Sequence, residues 1–249
     1  MADRSIRPLF IVGNPRTGST LLSTLLLQHP SVHVHGELFH PEENERKNTH
    51  FLRGRRKAWF DPEADDAILF LDTHVFGVDT DYLDRTVSVV GVKIFAEHVN
   101  TGGAKHLFRR IRAHYPEAVV VHMRRDDYLD VLVSLEIASR SRQWVNWSHD
   151  VQAREELSRF KIDVDRAVSF FERMYAADSF FALNFAGPHY LSVQYESLVA
   201  DLEGQTAALF DVLGVDAHAV SAVTEKQVRA SDFELVKNMD ELVAAFEAF

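Results

Sequence analysis

Residues 9–20 read LFIVGNPRTGST, and this stretch decides the fold of a chain of 249 residues. Its first four residues are apolar and predict a short buried strand. A polar loop bounded by Gly13 and Gly18 follows, and a leucine-rich helical run begins directly after it. A strand, a glycine-bounded loop and a helix in this order direct backbone N–H groups and the positive end of the helix toward a phosphate. The stretch therefore predicts a phosphate-binding loop at the carboxyl end of the first strand.

The loop departs from the Walker A motif at one position. It has the spacing GxxxxGK[ST], but Ser19 occupies the place of the lysine, and a cation, Arg16, lies inside the loop instead. The Walker A lysine reaches the β- and γ-phosphates of a nucleoside triphosphate. Its replacement indicates a phosphate site, although not one for the γ-phosphate of ATP.

The composition argues against several classes of protein. A net charge of −10 argues against a nucleic-acid binder, because affinity for a phosphate backbone needs a broad basic surface. The chain has no cysteine, so it offers neither disulfides nor thiolate ligands. No window approaches the ~20 apolar residues of a membrane span, and the first apolar run is too short for a signal peptide. We therefore expect a cytoplasmic protein that folds as a single domain over residues 1–249.

Patterns typical of strands and of helices alternate along the chain. Residues 87–95 and 118–123 are β-branched and apolar, as in strands that are buried on both faces. Lys93 interrupts the first of these strands, and a lysine there needs a partner. Helical patterns lie between the strands, and the longest is predicted over residues 150–184. The alternation predicts an α/β fold with a parallel β-sheet flanked by helices, the architecture of P-loop nucleotide hydrolases.

A polar and irregular segment covers residues 42–60. It concentrates basic side chains in a chain that is otherwise acidic. A loop of this length is often a lid or a wall of a substrate site. A solvated charged loop without a role has the same pattern, so the sequence leaves both interpretations open.

Separated pieces of the sequence resemble the sulfotransferases that use 3′-phosphoadenosine 5′-phosphosulfate (PAPS), and in particular their bacterial carbohydrate and small-metabolite branch. PRTGSTLL is similar to the 5′-phosphosulfate loop of that branch, and GVKIF is similar to its second core strand. RRDDYLDVLVSL resembles its 3′-phosphate motif. YESL…LFDVLGV and KQVRASDFELVKNMDEL resemble its closing pieces. These stretches lie, in order, at residues 15–22, 91–95, 124–135, 195–215 and 226–242.

The resemblance implies a role for each residue of the donor site. Arg16 would stabilise the bridging oxygen and the departing phosphate. Ser134 and an arginine would hold the 3′-phosphate. We favour Arg125 over Arg124, although the distance to Ser134 is one residue longer from Arg125 than in the family and two residues longer from Arg124. The remaining donor-site residues would hold the 5′-phosphate or close over the nucleotide: Thr17, Gly18, Ser19 and Thr20 for the former, and Lys226 and Arg229 for the latter.

The resemblance also implies a general base for the acceptor. The bacterial branch carries a carboxylate after its first helix, and GELFHP at residues 36–41 looks like that place, which makes Glu37 the first choice. Partial burial is expected to bring its pKa near the working pH. His98 and His35 are alternative bases. Lys93 is expected to neutralise charge near the donor or the acceptor.

The sequence predicts no metal site. Four histidines lie close together in sequence, but their spacing is irregular and no cysteine accompanies them. Sulfuryl transfer requires no metal, and strand 118–123 runs into Arg124 rather than into a Walker B aspartate. The four histidines are His29, His33, His35 and His40.

These expectations define one function and its alternatives. The chain is predicted to move a sulfuryl group from PAPS to a hydroxyl or amine of a small molecule or carbohydrate. A P-loop kinase of a nucleoside or small metabolite is the alternative, and Ser19 and Arg124 argue against it. A non-catalytic nucleotide-binding protein is a third interpretation. The acceptor and the oligomeric state stay open, with a homodimer as one option.

Overall fold

The structure is a computed structural model that describes residues 6–40, 42, 58–77, 83–99, 104, 106–147, 157–225 and 230–249. Its centre is a five-stranded, fully parallel sheet with the strand order β2-β3-β1-β4-β6. This arrangement confirms the predicted α/β class. The strands are β1 (Arg7–Gly13), β2 (Val32–His35), β3 (Val89–Phe95), β4 (Val119–Arg124) and β6 (Tyr190–Gln194).

Helices connect the strands and cover the sheet. A π-helical turn (Leu71–Val75) directly follows the helix Ala67–Phe70. A 3-10 turn (Ala96–Val99) follows β3, and another (Ala230–Leu235) precedes the helix Met239–Glu247. Two short strands, β5 (Asn146–Trp147) and β7 (Thr224–Glu225), form an antiparallel pair. The α-helices are α1 (Ser19–Leu26), α2 (Ala67–Phe70), α3 (Leu107–His114), α4 (Tyr128–Ser141), α5 (Val164–Phe185), α6 (Tyr195–Ala200), α7 (Leu202–Leu213) and α8 (Met239–Glu247).

The helix predicted over residues 150–184 begins later than expected. In the part of that range that the structure describes, helix α5 starts at Val164, after Asp163, whose side chain accepts a hydrogen bond from the N–H of Arg166. Phe160 pairs instead with Val236 as an isolated bridge, and Ile162 is buried. The apolar residues of this extended segment resemble the apolar face of a helix in the sequence. Only the pairing of Phe160 with Val236 distinguishes the extended segment from a helix.

Strand β1 lies at the centre of the sheet and separates two apolar layers. Phe10 and Val12 face one layer, and Leu9 and Ile11 face the other. All four are at most 1% exposed. A strand buried on both faces and paired on both edges is held rigidly, so the loop at its carboxyl end is presented from a fixed base.

Some predicted features fall where the structure makes no description. Of the segment 42–60, residues 43–57 lie outside the described residues, as do Lys226 and Arg229. Among the helices that are described, none has both the length and the apolar character needed to cross a membrane.

Candidate active site

The phosphate-loop residues 13–20 link β1 to α1 through a chain path that only glycine permits at two points. A Cβ on Gly13 would lie 2.5 Å from the carbonyl oxygen of Met123. Gly18 has a φ of 90°, and a Cβ there would lie 2.4 Å from the ring of Tyr195. Thr17 Oγ1 donates to the carbonyl of Asn14 at 2.7 Å and closes the turn. The loop is therefore a tightly packed element that leads directly into the N-terminus of α1.

Arg16 links the loop to the middle of α4 and to the chain that follows this helix. Its Nε donates to Ser134 Oγ at 3.1 Å, and its Nη1 donates to the carbonyl of Trp144 at 2.6 Å. Burial, together with the nearby charge of Arg125, lowers the pKa of Arg16 to about 10. The side chain still carries its charge at neutral pH. The structure thus brings Arg16 and Ser134, which are far apart in sequence, into direct contact.

Arg125 and Arg124 point to different parts of the molecule. Arg125 is 6% exposed, and its Nη1 donates to the carbonyl of Arg16 at 3.3 Å. Its guanidinium lies 4.4 Å from the centre of the Tyr195 ring and pairs with Asp130. The Nε of Arg124 instead lies 3.9 Å from a carboxylate on α5. Of the two arginines, Arg125 is therefore the one that packs against the phosphate loop.

Lys93 connects the phosphate loop with Glu37. Its Nζ donates to Thr20 Oγ1 at 3.3 Å and forms an ion pair with Glu37 Oε1 at 2.9 Å. Lys93 is 4% exposed, in the middle of the buried strand β3. The partner that a lysine in this strand requires is therefore Glu37, and one ammonium group touches both the loop and the predicted base.

The pKa of Glu37 shifts in the direction opposite to the predicted one. Burial alone would raise the pKa, but the Lys93 ammonium, helped by His98 and His40, outweighs it and holds the pKa below its ordinary value. The expectation that partial burial brings this carboxyl near the working pH was wrong. Glu37 is therefore ionised at neutral pH and able to accept a proton.

The ring of His98 directs its Nε2 atom toward Glu37. Its Nδ1 accepts the backbone N–H of Phe95 at 3.2 Å, so in the neutral ring the proton lies on Nε2. Burial lowers the pKa of His98 to about 3, which keeps the ring neutral. The Nε2 atom is 3.6 Å from Glu37 Oε2 and has no hydrogen-bond partner within the described part of the chain. This tautomer does not favour His98 as the base.

The other alternative base, His35, is fully buried at the end of β2. Its ring lies edge-on to His33, with 4.7 Å between the ring centres. His29 lies apart from this pair and packs on Phe210.

Glu37, His40 and His98 form a group with the composition of a metal site. Their possible ligand atoms all lie within 4.8 Å of one another. The Nδ1 atom of His40, however, accepts the backbone N–H of Glu42 at 3.1 Å, just as that of His98 accepts the N–H of Phe95. A metal on Nε2 would require each ring to move its proton to Nδ1, against a backbone donor. The donor pattern therefore suits hydrogen bonding around Glu37 better than metal ligation.

Sequence reasoning missed the contacts that hold this site together. The ring of Tyr195 packs against Gly18 and also contacts the guanidinium of Arg125. Tyr195 immediately follows the end of β6, as Arg125 follows the end of β4. Because the carboxyl ends of parallel strands meet at one edge of the sheet, the rule that identified the arginines also applies to Tyr195. No comparable signal exists for Trp144, which contributes only its backbone carbonyl.

The chain is similar to known proteins over nearly its whole length. A family model described as the sulfotransferase family matches residues 8–219. The sulfotransferase domain from the curacin biosynthetic pathway aligns over 98% of this chain and 99% of its own, with 16% identity and a TM-score of 0.51. A sulfotransferase from Alicyclobacillus acidocaldarius aligns over 97% of this chain and 95% of its own, with 18% identity and a TM-score of 0.48. Among curated protein sequences, none matches the chain at a significant level.

Proposed function

Because this chain belongs to the sulfotransferase family, we propose that it transfers a sulfuryl group from PAPS to a hydroxyl or amine of a small molecule or carbohydrate. One observation carries the proposal: Lys93 contacts both Thr20 of the phosphate loop and Glu37. The loop would bind PAPS, and the carboxylate would act as the base for the acceptor. One cation joins these two parts of a sulfuryl-transfer site.

The donor would lie along the loop, with its two phosphates on different elements. The N-terminus of α1 and the hydroxyls of the loop would receive the 5′-phosphosulfate. Ser134 and Arg125 would receive the 3′-phosphate. Support for Arg125 comes from its contact with the carbonyl of Arg16, because Arg124 is directed toward α5. Lys226 and Arg229 are proposed, from the resemblance alone, to close over the nucleotide.

Transfer would proceed in line, with PAPS on the Thr20 side of Lys93 and the acceptor on the Glu37 side. The sulfur–oxygen bond to the 5′-phosphate breaks, and a bond from sulfur to the acceptor oxygen or nitrogen forms. Glu37 takes the acceptor proton, while Arg16 meets the negative charge that develops on the leaving phosphate. An acceptor hydroxyl in this position would donate to Glu37 and accept from the buried Nε2–H of His98. That role makes His98 an orienting donor and leaves proton transfer to Glu37.

The proposal includes the setting of the reaction. We propose that the chain works as one catalytic domain and that the acceptor is a small molecule or a carbohydrate and not a nucleic acid, which suits its net charge of −10. A cytoplasmic location agrees with a sequence free of cysteine.

Ligand-dependent melting tests the proposed donor. Adenosine 3′,5′-bisphosphate at a hundred times its Kd, without magnesium, is expected to raise Tm by about 5–10 °C, since it binds only the folded state. The bisphosphate is measured in a thermal shift assay with a chelator. Mg-ATP is measured separately, without the chelator, as the comparison. A response to Mg-ATP alone would overturn the proposal in favour of a P-loop kinase.

The pH profile tests whether the base titrates well below neutral pH, as Glu37 does. Protonation of Glu37 removes the base, so activity is lost as the pH falls through the pKa of Glu37, which lies below its ordinary 4.5. We therefore expect kcat/KM to stay level from neutral pH down to about pH 5, whereas a base with the ordinary pKa of histidine would cause a fall near pH 6.5. Initial rates across this range check the prediction, with circular dichroism confirming that the protein stays folded. A fall near pH 6.5 would contradict Glu37 as the base.

A further inference from the structure

A buried carboxylate lies behind the phosphate loop, in the middle of α5. Asp178 is 6% exposed, and it occupies the face of the helix that carries the core residues Phe171, Met174 and Phe181. A carboxylate in such a place loses its hydration and persists only where donors replace the water. The donors around Asp178 therefore indicate what it does.

Three hydrogen-bond donors converge on this carboxylate. Asn14 Nδ2 donates to Oδ1 at 3.2 Å, and Tyr128 OH donates to Oδ2 at 3.0 Å. His122 Nε2 lies 3.1 Å from Oδ1, while its Nδ1 lies 2.8 Å from the hydroxyl of Tyr190. His122 Nε2 donates to Asp178, and in the tautomer with its only proton on Nε2 the ring accepts from Tyr190 at Nδ1.

Two of these hydrogen-bond donors come from the two halves of the proposed PAPS site. Asn14 belongs to the phosphate loop, and its carbonyl holds the hydroxyl of Thr17. Tyr128 is the first residue of α4, the helix that carries Ser134. One rigid side chain therefore connects the element proposed for the 5′-phosphate with the element proposed for the 3′-phosphate.

Electrostatics alone does not account for an acid at this position. A negative charge close to a loop that binds phosphate repels the ligand. The Nε atom of Arg124 lies 3.9 Å from Asp178 Oδ2, which is too far for a hydrogen bond. An apolar side chain would cover the same core surface without that repulsion. What the carboxylate adds is directional: it accepts from several donors at once and fixes their relative positions.

We propose that Asp178 is a positioning residue that sets the distance between the phosphate loop and the start of α4, so that both phosphates of a 3′,5′-bisphosphorylated nucleotide are bound together. This inference rests on the proposed function. Once the first phosphate is bound, the second contact is intramolecular, and its advantage depends on the two sites matching the span of the ligand. A site with a variable span loses that advantage, although each half still binds a single phosphate.

The test compares three nucleotides on the wild type and on Asp178→Asn. Calorimetry gives Kd for adenosine 3′,5′-bisphosphate, adenosine 5′-phosphate and adenosine 3′-phosphate. In the variant, the affinity lost for the bisphosphate is expected to exceed the product of the two single-phosphate losses by about 5- to 50-fold. A loss for the bisphosphate equal to that product would overturn the proposal, because the two halves would then be independent.

Glu136→Gln is the matched control. Glu136 is a buried carboxylate on α4 that pairs with Arg166 of α5 at 2.8 Å and with Arg140 at 3.1 Å, so it also joins these two helices. This variant is expected to lose stability without any excess loss for the bisphosphate. If Glu136→Gln shows the same excess as Asp178→Asn, the effect is a general loosening of the helices, and the proposal is wrong.

Tyr128→Phe keeps the test decisive if Asp178→Asn does not fold. It removes one hydroxyl from the network, and a smaller excess of about 2- to 5-fold is expected. No excess in this folded variant would contradict the proposal. Failure of the wild type to bind the bisphosphate would instead overturn the proposed function, so the two failures are distinguishable.

Discussion

Replacing Arg16 with alanine is expected to lower kcat by about 100- to 1,000-fold at saturating donor, since one preorganised charge on a developing anion contributes an effect of this size. Arg16 retains its charge at neutral pH despite its lowered pKa of about 10. Its backbone has a φ of 66°, in the left-handed region. Alanine has the same Cβ constraint there as arginine, so the substitution removes the guanidinium without adding backbone strain.

Ser134→Ala is the matched control for Arg16. The two side chains are in contact at 3.1 Å, so both variants remove the same hydrogen bond. We expect Ser134→Ala to weaken donor binding and to leave kcat at saturating donor within about tenfold, because its hydroxyl contributes to binding more than to the transition state. Equal losses of kcat in the two variants would show that Arg16 acts through its contact with Ser134 and not on the leaving phosphate.

Glu37→Gln is expected to remove most of the activity, by about 100- to 10,000-fold in kcat, the range of a general base. The amide oxygen can still accept from Lys93, which keeps a partner for that buried ammonium. Binding of adenosine 3′,5′-bisphosphate should therefore change little, and thermal melting should show a folded protein. Steady-state kinetics and calorimetry on the same preparation give both quantities.

His98→Gln is the comparison for the base. A glutamine amide can still donate toward Glu37, so we expect a moderate loss of about tenfold or less from poorer orientation of the acceptor. Near-normal turnover in Glu37→Gln, combined with a large loss in His98→Gln, would reverse the assigned roles.

The fold was predictable because its signals are local. The apolar strand before Gly13 and the helix after Ser19 are neighbours in sequence, and a βαβ alternation leaves few topologies to consider. The start of the helix predicted over 150–184 was wrong for the complementary reason. Phe160 lies in extended chain because it pairs with Val236, which no local pattern reveals.

The geometry of the candidate site was not predictable from the sequence. The resemblance implied roles for Arg16 and Glu37, whereas the ion pair between Glu37 and Lys93 joins the chain after β2 to strand β3 and follows from no spacing. The pKa of Glu37 was assigned the wrong direction because its sign depends on that partner. Asp178 did have a signal in the sequence, since an acid on the apolar face of a helix requires buried donors.

The packing of Tyr195 on Gly18 has a consequence for the order in which the protein becomes active. The loop is synthesised first, but the ring that covers it comes from the end of β6, late in the chain. Contacts of such large sequence separation form late in folding. A nascent or truncated chain that ends before β6 would therefore have the loop without the ring that covers Gly18, and we expect affinity for the proposed nucleotide to report completion of the fold.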